Sequence, residues 1–90
     1  MKKIIITVVG KDTVGILAKV STMCAEQGAN IIDVTQTVMQ DMFVMVMMVD
    51  ISEMSVDIGV LRDKMDILAA NANLKIHVMH EDIFNSMHKI

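Results

Sequence analysis

Gly10-Lys11-Asp12-Thr13-Val14-Gly15-Ile16 is the stretch where an extended apolar run gives way to a helical pattern, and the rest of the chain is read outward from it. Ahead of it, the β-branched residues Ile4, Ile5, Ile6, Val8 and Val9 predict a strand over about 3–9. Behind it, Ile16, Leu17, Val20, Met23 and Cys24 follow the i, i+1, i+4, i+7, i+8 spacing of one helix face, which predicts a helix over about 13–27. At the junction Gly10 is expected to supply a positive φ and Asp12 to cap the free amides of the first helical turn. Gly15 is expected to let another group approach closely. Unpaired amides at a helix start attract anions, so the turn suits a carboxylate ligand, although the same chemistry also serves a turn that only connects and caps.

Beyond Gly28, which ends the first helix, Ile32, Val34 and Val38 alternate with Asp33, Thr35 and Thr37, as in a half-exposed strand over about 30–40. Asp41 turns the chain tightly into a third strand over about 42–51. Phe43, Met45, Met47 and Val49 fall on one of its faces and Val44, Val46 and Met48 on the other. A second helix is expected to start at a Ser55 N-cap, with Asp57 favouring the dipole. It carries Ile58, Leu61, Met65, Leu68 and Ala72 on one stripe and ends near Asn71 and Asn73. A fourth strand, about 74–80, points Leu74, Ile76 and Val78 inward and Lys75, His77 and Met79 outward. Ile83, Phe84, Met87 and Ile90 then mark a short amphipathic helix in the tail.

Strand faces decide the topology. Strands one and three are apolar on both faces and belong in the middle of a sheet; two and four alternate and belong at its edges. That is the α+β, ferredoxin-like βαββαβ sandwich: an antiparallel four-stranded sheet in the order 4-1-3-2 with two helices on one face, plus the short C-terminal helix. The other face is left carrying Ile5, Val9, Val44, Val46 and Met48, so a homodimer contact or the tail is expected to cover it.

Composition bounds the function. Ninety residues make one domain, and a chain of this size hides only roughly 60–65% of its unfolded surface. With 53% hydrophobic residues and a mean hydropathy of +0.52, part of the apolar surface is expected to meet a second copy. Asp12, Asp33, Asp41 and Asp50 interrupt every apolar run before it reaches membrane-spanning length, and no signal-peptide pattern opens the chain, so a soluble, cytoplasmic protein is expected. The net charge of −3 without a basic run argues against nucleic acid, as does having Phe43 and Phe84 as the only aromatics.

The order βαββαβ, the junction Gly10–Leu17, and Gly28-Ala29-Asn30-Ile31-Ile32-Asp33 entering strand two together resemble an ACT domain. The resemblance covers about residues 3–80 and leaves 81–90 as a C-terminal amphipathic tail. In particular the chain resembles the small stand-alone bacterial and archaeal ACT proteins of unassigned function, themselves similar to the ACT repeats of the glycine-cleavage transcriptional repressor. The resemblance implies a regulatory module that binds an amino acid at a homodimer interface, between this turn and the start of strand two. It implies Gly10, Asp12, Gly15, Asn30 and Ile31 as contacts and, with the rest of the turn, Lys11, Thr13, Val14 and Ile16. Many members start the first helix with Asp-x-Pro-Gly. Here Asp12 and Gly15 match, and Val14 in the proline place loosens the turn. In chemical terms, amides around 13–16 can hold an α-carboxylate, while Asp12 or Asn30 can accept bonds from an α-ammonium group.

Other constellations point to less. His77 and His80, three apart on a strand, face opposite ways and do not chelate one ion; Glu81 and His88 complete the cluster. Cys24 lies on the helix stripe and reads as a small core hydrophobe, and the eleven methionines as packing. No nucleophile–base pair, carboxylate pair or phosphate loop is present, so neither an enzyme nor a cofactor is expected. The alternative function is a protein-interaction or dimerisation module without a small-molecule ligand, docking an unknown protein partner through its open face and tail.

Overall fold

The computed structural model describes residues 2–11 and 15–83. Its elements are β1 (Lys3–Lys11), α1 (Ile16–Glu26), β2 (Asn30–Met39), β3 (Met42–Asp50), α2 (Ile58–Ala72) and β4 (Leu74–His80). The strands form one sheet in the order β2-β3-β1-β4, with all three pairings antiparallel. The expected ferredoxin-like order is therefore found, with the doubly apolar β1 and β3 in the middle. Residues 81–83 continue as a helical turn in which Ile83 is exposed, and the remainder of the expected amphipathic tail lies outside the described residues.

β1 and β3 pair without a slip, from Lys3 opposite Asp50 to Lys11 opposite Met42. Facing residues share a side of the sheet, so Ile4, Ile6 and Val8 stand with Val49, Met47 and Met45 on one face. That face carries the core: these residues pack with Val20 and Cys24 of α1 and with Leu61 and Met65 of α2, all fully buried. Ile5, Val9, Val44, Val46 and Met48 lie on the other face, as expected. Most of them are half-buried, but Ile5, between Met48 and Met79 in register, is buried completely.

The structure corrects several local expectations. β1 runs on to Lys11, and α1 begins at Ile16 rather than Thr13. On α1, Leu17 is 37% exposed and stands off the core stripe that Ile16, Val20 and Cys24 form. In β2 a bulge falls between Ile31 and Asp33: Ile31 pairs with Val49, and the next pair is Asp33 with Met48. The extra residue shifts the alternation, so Ile31, not Ile32, packs against the core with Val34, and Ile32 is left 46% exposed. A one-residue irregularity of this kind leaves no mark in a period-two pattern whose neighbouring positions are both isoleucine. The tight β2–β3 turn depends on Gln40, at φ 58°, a left-handed conformation that the sequence attributes to no residue there.

α2 is capped by Asp57, not Ser55. The Asp57 side chain accepts from the Val60 amide, while the Ser55 amide instead donates to the Gln27 carbonyl at 3.4 Å and ties two loops together. At the other end Asn73, left-handed at φ 58°, terminates the helix; Asn71 is inside it. Arg62 of α2 reaches β4 and donates to the Val78 carbonyl at 3.2 Å. Replacing Asp57 by Ala should lower unfolding free energy in urea by about 1 kcal/mol, the usual value of an N-cap, while Ser55→Ala should change it by less than about half of that. Equal losses in the two variants would return the cap to Ser55.

Candidate functional site

The turn that leads from β1 into α1 is built differently at its two glycines. Gly10 does not take a positive φ: it is a β1 residue paired with Leu74, and a Cβ there would stand 2.5 Å from Leu74 Cδ2. Glycine is used at this position so that the packed Leu74 can lie against the strand. Gly15 has the left-handed conformation instead, at φ 88° and ψ 9°, and forms the N-cap of α1 with no side-chain cap bond. No described atom lies within 4 Å of a Cβ built on it, so the space above the helix start is open. The Gly15 carbonyl accepts from the Lys19 amide at 2.9 Å, closing the first turn. Among the described residues of the helix, the amides of Ile16, Leu17 and Ala18 then have no backbone acceptor. Asp12, Thr13 and Val14, expected to complete this turn, lie outside the described residues.

Asn30 and Ile31, the other part of the expected site, begin β2. Asn30 is exposed and Ile31 half-buried against the core. The register shows where they stand. Asn30 pairs with Asp50, which pairs with Lys3; Lys11 pairs with Met42, which pairs with Met39. The two groups are therefore at opposite ends of the sheet, roughly 26 Å apart along the nine-residue β1. Gly10, Lys11, Gly15 and Ile16 gather at one end of the sheet, and Asn30 and Ile31 are not brought to them.

At the Asn30 end, Gly28 (φ 79°) packs close to the loop after β3: a Cβ there would lie 3.3 Å from the Glu53 carbonyl. That loop is fastened by Asp50, whose carboxylate accepts from the Ser52 hydroxyl at 2.6 Å and amide at 2.9 Å; both bonds pull its pKa below the usual carboxylate value. Sequence reasoning did not single out this pair, although the Asp-x-Ser spacing is a known turn signal. Next to it is a cleft of about 520 Å³ lined by Lys2, Ile51, Met54 and His80, among others.

The remaining candidates do not assemble into reactive chemistry. Cys24 is fully buried, and burial pushes its thiol up to about 11, so it is a protonated core residue at neutral pH. His77 pairs with Thr7 on the open face and His80 with Ile4 on the core side, so the two are on opposite faces of β4. Among the described residues no three His, Cys, Asp or Glu side chains converge on a point where a metal ion could sit, and no helix is long and apolar enough to cross a membrane.

Comparison with known proteins bears on the fold and family. A family model described as ACT domain matches residues 2–79. A UPF0237 protein of Methanococcus maripaludis is 46% identical over 90 residues, covering the whole of both chains. Among solved structures, an ACT domain protein from Streptococcus pneumoniae superimposes with a TM-score of 0.80 at 42% identity, covering 92% of this chain and 93% of that one. A putative glycine cleavage system transcriptional repressor shares the fold with a TM-score of 0.77 at 23% identity; 88% of this chain matches 45% of that protein.

Two measurements check the local geometry. Because Gly15 is left-handed but unobstructed, Gly15→Ala should cost about 1–2 kcal/mol in urea unfolding and Gly15→Asn clearly less, both with unchanged circular dichroism. An equal loss in the two would mean that space, not φ, is what excludes side chains. Cys24 should react with a thiol reagent at pH 8 no faster than the native protein opens, and promptly in denaturant; fast labelling of the folded chain would contradict its placement in the core.

Proposed function

The chain belongs to the ACT domain family, a family of regulatory ligand-binding modules, and from that premise we propose that it senses an amino acid at the interface of a homodimer. The proposed contacts are Gly10, Lys11, Asp12, Thr13, Val14, Gly15 and Ile16 of one subunit with Asn30 and Ile31 of the other. The protein is non-catalytic and works in the cytoplasm, passing occupancy on through its dimer or a protein partner.

The observation that carries this reading is the separation of the two parts of the site in one chain. β1 and β2 run in the same direction, two strands apart, so the end of one and the start of the other cannot meet within a subunit. A twofold axis that pairs two β2 edges antiparallel turns the partner end for end. Asn30 of the partner subunit is then brought beside Met39, the end of the sheet at which Gly10, Lys11 and Gly15 stand. β2 suits such pairing: it is a ten-residue edge strand, exposed along most of its length, without lysine, arginine or proline to protect it. Helix-start amides on one side and the Asn30 carboxamide on the other match the two charged ends of an α-amino acid.

The reading without a ligand is favoured by a different observation. Val38, Met39 and Met42 at the β2–β3 hairpin are 50%, 62% and 42% exposed, an apolar tip that another protein could cover.

A thermal-shift screen against the twenty amino acids, paired with sedimentation velocity, separates the two. The sensor reading predicts a selective rise, about 2.7 kcal/mol of added stability at a hundredfold excess over Kd. It also predicts that Thr35→Lys with Thr37→Lys, which crowds like charges on the paired edge, yields a folded monomer that no longer responds. A dimer indifferent to every amino acid would reject the sensor and favour the interaction module; a responsive monomer would reject the shared site.

A further inference from the structure

The two faces of the sheet differ in what lies on them. α1 and α2 cover the face that carries Ile4, Ile6, Val8, Met45, Met47 and Val49, and these side chains belong to one core cluster with the helices. Neither helix lies on the other face, where Ile5, Thr7 and Val9 stand with Met48, Val46 and Val44. The neighbours of Ile5 on that face are half-buried, but Ile5 itself is only 1% exposed, and it is not part of the core cluster. Side chains stand roughly perpendicular to a sheet. Met48 and Met79, in register on either side, therefore shield Ile5 laterally and leave its outer end to whatever stands above the strand. A residue closed to that degree on this face calls for a cover. Beside Ile5 the face also has a hollow of about 140 Å³, lined by Val46 and Met48 with the exposed Asp33 and Thr35, among others.

The chain itself brings a cover to the spot. β4 ends at His80, one residue past the Met79 that faces Ile5, and residues 81–83 make a helical turn there. Seven residues follow, Phe84-Asn85-Ser86-Met87-His88-Lys89-Ile90, and lie outside the described part. Continued as a helix, they would span roughly 10 Å. From β4 across β1 to β3 is two strand spacings, also roughly 10 Å. The pattern matches the length: on a helix Phe84, Met87 and Ile90 fall on one side and Asn85, Ser86, His88 and Lys89 on the other. Ile83, on the apolar side, is 55% exposed and so marks the edge of the contact. We propose that residues 84–90 cross the open face from β4 to β3 as a helix, with Phe84 and Met87 seated on Ile5, Met48 and Met79. The face is then closed from within the chain, and the surface left for a second copy is the edge of β2. The proposal does not rest on an amino-acid ligand, and either can fail without the other.

The test uses the full chain. It has two aromatic residues, and Phe43 lies in the core cluster on the helix side, opposite Gly10 near the far end of β1. Nuclear Overhauser contacts from aromatic ring protons to the methyl groups of Ile5 and Met48 therefore report on Phe84 alone. The expected result is that these contacts are present in the unaltered protein and lost in Phe84→Leu. In a mixture of labelled and unlabelled protein they should be absent from a spectrum filtered for contacts between chains. Phe84→Asp combined with Met87→Asp should uncover the face: binding of an apolar fluorescent dye should rise severalfold, with the amide shifts of α1 and α2 unchanged. Absence of ring contacts at Ile5 and Met48 would overturn the proposal, as would unchanged dye binding in the double variant. Contacts found only between chains would give the cover to a second copy and overturn it as well.

Discussion

The uninterrupted pairing of β1 with β3 is the constraint on which the rest depends. Nine residues of each strand face one another, and their alternation sends Ile4, Ile6 and Val8 with Met45, Met47 and Val49 toward the helices. A slip of one residue would exchange that set for Thr7, Val9, Val44 and Val46 and leave Val20, Cys24, Leu61 and Met65 without their partners. With the central pair fixed, β4 joins through Ile4–Gly10 and β2 through the outer edge of β3. The two helices, each burying only a short stripe, have one face to cover.

The same arrangement bears on the proposed site. In a four-stranded sheet of this order the first and second strands are parallel but not adjacent. Gly10 and Lys11 at the end of β1 and Asn30 at the start of β2 are thereby held at opposite ends of the sheet. A site made from both is a property of two chains. This gives a physical reason for a sensor to be a dimer: occupancy and association become linked, because a ligand that touches both subunits favours the paired state. The long unprotected β2 edge, a liability in a monomer, is consistent with that arrangement.

Most of the architecture was legible because it rests on period. Two-sided apolar strands, one-sided strands and helical stripes leave separate signatures, and these were enough to order the sheet. What was not legible rests on single residues whose role is set by tertiary neighbours. Gly10 reads as a turn glycine but serves the approach of Leu74, 64 residues downstream; Gly15 carries the positive φ. Ser55 and Asp57 are both good N-caps in sequence, and the bond from Ser55 to Gln27 decides between them. The bulge at Ile32 and the left-handed Gln40 have no composition cue at all. For the site, the turn and Asn30 could be named as candidates from family likeness, but their separation could only come from the register.

The central claim, that each amino-acid site is completed by the partner subunit, is tested most directly with mixed dimers. A Gly15→Val chain and an Asn30→Ala chain should each fail to bind, as separate homodimers, the amino acid that most raises the melting temperature of the unaltered protein. Unfolded and refolded together, they form dimers in which one subunit supplies an intact turn and the other an intact Asn30. Calorimetric titration of that mixture should recover binding at about a quarter of the normal capacity, since about half the dimers are mixed and each holds one intact site. No recovery from a mixture shown to contain mixed dimers would place both halves of the site in the same chain and contradict the account.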